Sequence, residues 1–218
     1  MVKTKIASSK ERKLEKELLG VLIFFGAIIL VFVISSSYFK SLNSFEYGGL
    51  TFSKERAGEI PIFHHSYYIK APSGKLIKYN LYLRNDPRES EVIVEGAPSN
   101  LLMPGAVAYL SINSNGLAEC RYSPLAVASI SSFMSDNQMK VIAGNLDFWQ
   151  AGANKDKWVT CENQPGNRVV ELLKGNETKI TIRDGCYRIE VNDCQILEAV
   201  EKLEVQSVVD ARKGTLSQ

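Results

Sequence analysis

Ile77-Lys78-Tyr79-Asn80-Leu81-Tyr82-Leu83-Arg84 sets Ile77, Tyr79, Leu81 and Leu83 against Lys78, Asn80, Tyr82 and Arg84. Successive side chains of an extended chain point to opposite faces, so this period of two predicts a half-buried β-strand. Upstream, Glu59-Ile60-Pro61 leads into Ile62 to Ile69, dense in Phe, Tyr and Ile, and Ala71-Pro72-Ser73-Gly74 is a turn signal between the two runs. Downstream, Asn85-Asp86-Pro87 stops the alternation and Val92-Ile93-Val94 makes a short further strand. Residues 45–95 therefore read as an antiparallel β meander.

Residues 105–212 read as mixed. Ala106 to Ile112 is a nearly continuous apolar run, as in a strand covered on both faces. Ser123-Pro124 predicts a helix start, with Ser123 as N-cap, Pro124 in the first turn and an apolar stripe through Leu125, Val127, Ala128, Ile130 and Met134. Met139 to Ala143 is a second strand, followed by a loop holding Phe148, Trp149 and Trp158. Val169 to Leu173 and Thr178 to Ile182 suggest a hairpin about Gly175-Asn176, and Tyr187, Ile189 and Val191 continue the sheet. A last helix is expected from Asn192, with Gln195 completing an approximate capping box. Its apolar face is Ile196, Val200 and Leu203, with Glu198, Glu201 and Glu204 on a solvated side. The fold class is α+β.

Leu18 to Phe39 contains no charged residue. As a helix it rises roughly 33 Å, enough for a ~30 Å hydrocarbon core. Lys3, Lys5, Lys10, Arg12, Lys13 and Lys16 precede it, and after Lys40 no base follows until Lys54. The positive-inside rule then puts the N-terminus in the cytoplasm and the rest outside. The rival is a cleaved signal peptide with Ser35, Ser36 and Ser37 at the cleavage site; the long apolar core favours an anchor. Either way the larger part is extracytoplasmic.

The expected layout is a basic cytoplasmic tail over 1–17, a transmembrane helix over 18–39 and a β-rich membrane-proximal region over 40–104. A disulfide-stabilised α/β-like domain with two main helices follows over 105–212, then a frayed tail over 213–218. Six of the 26 basic and three of the 24 acidic residues precede Leu18, leaving 20 against 21 beyond Phe39. So balanced a charge argues against a nucleic-acid partner. The expected partners are the lipid bilayer and a protein on the outer face.

Cys120, Cys161, Cys186 and Cys194 all follow the apolar run, and an even count outside the cytoplasm favours disulfides. Cys186 and Cys194 flank a predicted strand. If it is straight they lie roughly 20 Å apart, too far to bond. Cys120 and Cys194 each follow a strand and precede a helix. If those strands are parallel, the pairing is Cys120–Cys194 with Cys161–Cys186. The spacing lacks the C-x2-C knuckle of a zinc site, and no P-loop, G-x-G-x-x-G or Ser/His/Asp signature is present, so neither a metal nor a cofactor is expected. His64 and His65 are adjacent on a strand and face opposite ways, unsuited to one metal. Arg84 and Arg88 flank a turn and could hold an anionic group or a partner's carboxylate, with Asp86 capping the turn as the alternative. Asn176-Glu177-Thr178 is a glycosylation sequon.

The order strand, Cys120-Arg121-Tyr122-Ser123-Pro124, helix, strand, then hairpin and helix resembles the thioredoxin-like plan. That resemblance implies a reactive Cys120 at a helix N-terminus, its thiolate favoured by the helix dipole, with Ser123 in place of a second Cys. The chain departs from the plan in lacking C-x-x-C, in the distance of Pro165 from the next strand and in showing no helix before residue 157. More broadly, Phe45-Glu46-Tyr47-Gly48-Gly49-Leu50, Tyr79 to Arg88, Thr160-Cys161-Glu162-Asn163, Gly175 to Ile180 and Cys186-Tyr187 resemble an uncharacterised family of archaeal single-span membrane-anchored proteins. That resemblance implies the layout and supplies no activity. The function expected is an interaction or structural module of the cell envelope. The alternatives are a thiol-disulfide oxidoreductase-like domain using Cys120 and an accessory subunit of a membrane complex.

Overall fold

The alternation that ends at Leu83 is the last of four strands in a meander. The structure, a computed structural model, describes the backbone of residues 3–71, 73–96 and 101–216. Its elements are α1 (Lys3–Leu42), β1 (Ser44–Tyr47), β2 (Leu50–Ala57), β3 (Ile60–Lys70), β4 (Leu76–Leu83), β5 (Ile93–Gly96), β6 (Val107–Ile112) and α2 (Ser123–Asp136). Then follow β7 (Lys140–Asn145), α3 (Phe148–Asn154), β8 (Arg168–Lys174), β9 (Lys179–Arg183), β10 (Cys186–Val191) and α4 (Ile196–Leu216). The architecture is α+β: an apolar N-terminal helix, a four-stranded antiparallel sheet and a mixed six-stranded sheet with helices.

The chain divides into two units, Met1–Phe45 and Glu46–Gln218. In the first, Leu18–Ser36 of α1 has a mean hydropathy of 3.0 and buries none of its residues. Nineteen residues rise about 28 Å, long and apolar enough for a membrane span or a signal sequence. The side chains of residues 1–17, the expected basic tail, lie outside those described, as does that of Ser37.

In the second unit the small sheet has the order β1-β2-β3-β4, with Phe63 opposite Leu83 and Tyr67 opposite Tyr79. Leu50, Phe52, Phe63, Leu81 and Leu83 supply its buried face. β5 does not extend this meander as expected. It pairs in parallel with β9, Ile93 opposite Lys179 and Gly96 opposite Ile182. The chain is turned away after Leu83 because Glu201 takes the backbone N–H groups of Arg84 and Asn85.

At Gly96 (φ +110°) an added Cβ would lie 2.0 Å from the Ile182 carbonyl oxygen. Gly96→Ala is therefore expected to lower stability by more than about 2 kcal/mol. Gly152→Ala in α3, with open space around it, should be neutral or mildly stabilising. Denaturant midpoints of the two variants check this.

The large sheet has the order β5-β9-β10-β8-β6-β7. The expected hairpin of β8 with β9 is not formed, because β10 lies between them, parallel to β8 and antiparallel to β9. The tight hairpin is β9–β10. Asp184 and Gly185, at φ +46° and +84°, give it the twin left-handed residues that match strand twist in a two-residue turn. β6 runs parallel to both β7 and β8, as its unbroken apolar run suggested.

α2 begins with Tyr122, not Ser123, as its N-cap. Ser123 is helical and its hydroxyl donates to the Leu117 carbonyl. The buried stripe is Ala126, Ile130, Phe133 and Met134, while Leu125 is exposed. The loop expected around Trp149 contains α3, capped by the Asp147 carboxylate, which accepts from the Trp149 and Gln150 N–H groups. α4 opens at Ile196 rather than Asn192, since Asp193 and Cys194 adopt left-handed φ of +48° and +60°. It continues past Arg212 to Leu216; residues 217–218 lie outside those described.

Candidate functional site

Two apolar faces decide the surroundings of α4. Ile196, Val200 and Leu203 fall on one side, and Leu197, Val205 and Val208 extend burial around the helix. α4 packs on α2, β9 and β10. Across from them it meets the meander: Lys202 Nζ donates to Tyr47 Oη at 2.8 Å and Arg212 donates to the Gly49 carbonyl. A helix covered on two sides drags its intervening polar residues inside. Glu201 and Glu204, expected on a solvated face, are 5% and 1% exposed.

Their surroundings differ. Glu201 Oε1 accepts from Arg84 N at 2.7 Å, and Oε2 accepts from Asn85 N at 3.1 Å and Asn85 Nδ2 at 2.7 Å. Burial raises its pKa, and these donors oppose the rise. Glu204 Oε1 accepts from Ser129 Oγ at 2.8 Å, but Oε2 has no hydrogen-bond partner among the described residues. Burial pushes the Glu204 carboxyl up to about 8; the Ser129 hydrogen bond opposes this and the Glu201 charge adds to it. A buried carboxyl with a free oxygen is an energetic cost that native proteins usually avoid.

Glu204 borders a cleft of about 600 Å³ between β4 and α2. Its walls carry Ser129, Ser132, Ser135 and Asp136 from α2, and Tyr79 and Asn80 from β4. Behind it Tyr79 packs against Tyr67 and Phe133, with ring centroids 5.1 and 6.0 Å away. Tyr67 Oη donates to Asn137 Oδ1 at 3.0 Å, and Asn137 Nδ2 donates to the Phe133 carbonyl at 2.6 Å. Burial first, and the Glu204 charge with it, raises the pKa of both tyrosines. Glu204 thus brings to the cleft a carboxyl whose ionisation burial disfavours, one that donates a hydrogen bond when protonated and pairs with a cation when ionised.

The residues singled out from sequence lie elsewhere. Cys120 bonds Cys194 (Cα–Cα 5.2 Å) and Cys161 bonds Cys186 (5.6 Å), with β6 and β10 parallel. Cys120 is 4% exposed and carries no free thiol. Glu171 adjoins Cys161 and Cys186, but their sulfurs are joined to each other and Glu171 is bonded to Arg188 Nε at 2.7 Å. Arg88 grips Asp86 in a two-pronged pair at 2.9 and 2.6 Å, holding that carboxyl below its usual range. The Arg84 guanidinium lies 5.4 Å from the centre of the Tyr122 ring. His64 meets Glu55 and Asn80, while His65 meets the Thr51 carbonyl, on opposite faces of β3. Asn176 is exposed in the turn after β8. Phe148, Trp149 and Trp158 form an exposed aromatic group, Trp149 at 82%.

Sequence reading missed Glu204, Tyr67, Tyr79, Ser129 and Asn137. The available signal was the second apolar face of α4. No family model, curated protein or solved structure matches the chain.

Proposed function

We propose that the chain is a membrane-tethered extracytoplasmic binding module, held by an uncleaved single span with its N-terminus in the cytoplasm. The observation that carries the binding reading is the buried Glu204 carboxyl, one oxygen without a hydrogen-bond partner among the described residues, in the lining of the cleft between β4 and α2. The apolar helix and the two disulfides support an extracytoplasmic setting. Binding is favoured over thiol chemistry because the cysteines are spent in bridges.

The test uses the full chain in lipid nanodiscs, mixed with three probe classes: short peptides, maltohexaose and spermidine. At least one class should raise the melting temperature saturably, and Ser132→Trp, which fills the cleft from an exposed position on α2, should cancel the effect. No response from any class, or a chain recovered shortened and released from the membrane, contradicts the reading.

A further inference from the structure

The cleft touches Ile77, Lys78, Tyr79, Asn80, Leu81 and Tyr82, six consecutive residues of β4. Consecutive side chains of a strand point to opposite faces. A cavity that meets all six must therefore run along the edge of the strand rather than over one face. Among the described residues β4 is an edge strand: β3 pairs with one side of it and no described strand pairs with the other, since β5 has left for the large sheet. Edge strands with an open side recruit further extended chains through backbone hydrogen bonds, with side-chain pockets giving selectivity. Here α2 forms the opposite wall with the hydroxyls of Ser129, Ser132 and Ser135. Among the described residues bordering the cleft, Lys78 is the one cation, against Glu204 and Asp136.

Resting on the binding reading, we propose that the ligand is an extended polypeptide segment that adds to the free edge of β4, between β4 and α2, and directs a lysine or arginine side chain to Glu204 Oε2. The length of β4, eight residues, sets the length of the segment. The orphaned carboxylate oxygen sets the basic residue. The serine row faces the outer side of the added strand.

The test measures fluorescence anisotropy of labelled octapeptides of alternating Thr and Val with Lys, norleucine or Glu at a central position, added to the full chain in nanodiscs. The Lys peptide should bind at least tenfold more tightly than the norleucine peptide, and the Glu peptide more weakly still. Glu204→Gln should erase the Lys preference, so that the Lys and norleucine peptides bind this variant alike. Backbone N-methylation at alternate residues gives the discriminating result. A paired strand offers only every second N–H to its neighbour, so one methylation pattern should abolish binding and the other should be tolerated. Amides of residues 76–83 should gain hydrogen-exchange protection on binding. Equal binding of both methylated forms, or unprotected β4 amides, overturns edge pairing and leaves the binding reading standing. Stabilisation by maltohexaose or spermidine with none by any peptide does the same. Silence from all three probe classes overturns both.

Discussion

Glu204→Gln is expected to raise the melting temperature at pH 8 and leave it nearly unchanged at pH 4. The unfolded chain ionises Glu204 near its ordinary value of 4.5, whereas the folded chain retains the proton to about 8. Over that window the unfolded state binds fewer protons, so wild-type stability falls as pH rises. Below 4.5 both states are protonated and the contribution disappears. Above 8 the loss is complete, and the gap corresponds to about 5 kcal/mol. Gln keeps an acceptor for Ser129 and does not ionise. About half of that loss recovered at pH 8 amounts to 5–10 °C for a domain of roughly this size. Glu201 is also raised by burial and is present in both proteins; its repulsion with an ionised Glu204 is part of what the Gln variant relieves. Melting curves followed by tryptophan fluorescence from pH 4 to 9 decide the matter; parallel curves for the two proteins would refute it.

Removal of the Cys120–Cys194 bridge should be the most costly change to the covalent frame. It spans 74 residues, against 25 for Cys161–Cys186. The entropy of closing such loops in the unfolded chain is worth about 4.5 and about 3.5 kcal/mol respectively. Cys120→Ala with Cys194→Ala also frees the turn that launches α4 in left-handed geometry. Guanidinium midpoints of the two double-alanine variants should fall in that order. A larger loss for the Cys161–Cys186 pair would show that its contact with Glu171 matters more than loop length.

Local signals carried much of the fold. The alternation in β4, the apolar run of β6 and the buried Tyr187, Ile189 and Val191 are all fixed by neighbours within one element. What was not legible depended on pairing across long distances. β10 enters between β8 and β9, and β5 crosses to β9, pairings that no pattern within a single element specifies. Asp184-Gly185 is itself a strong two-residue hairpin signal, whereas Gly175-Asn176 joins strands that do not pair with each other. The site was hidden for the same reason as the topology. Three glutamates on a helix resemble a wetted face until a second sheet is laid over them, and only the tertiary fold reveals that Glu204 is dry.

The order of the sheet also dictates when the protein can become itself. Synthesis runs from the N-terminus, so β5 waits for β9 to gain its neighbour, and β8, which can pair with β6 at once, waits for β10 to gain its second. The first two cysteines to emerge, Cys120 and Cys161, are not native partners; theirs come last, at Cys194 and Cys186. In an oxidising compartment the earliest available bridge on the nascent chain is therefore a wrong one. Native pairing is reached when oxidation lags behind emergence of residue 186, so that Cys161 can meet Cys186, or when thiol exchange undoes the premature bond. In such a compartment the timing of oxidation, and not the sequence alone, decides which bridges the chain carries.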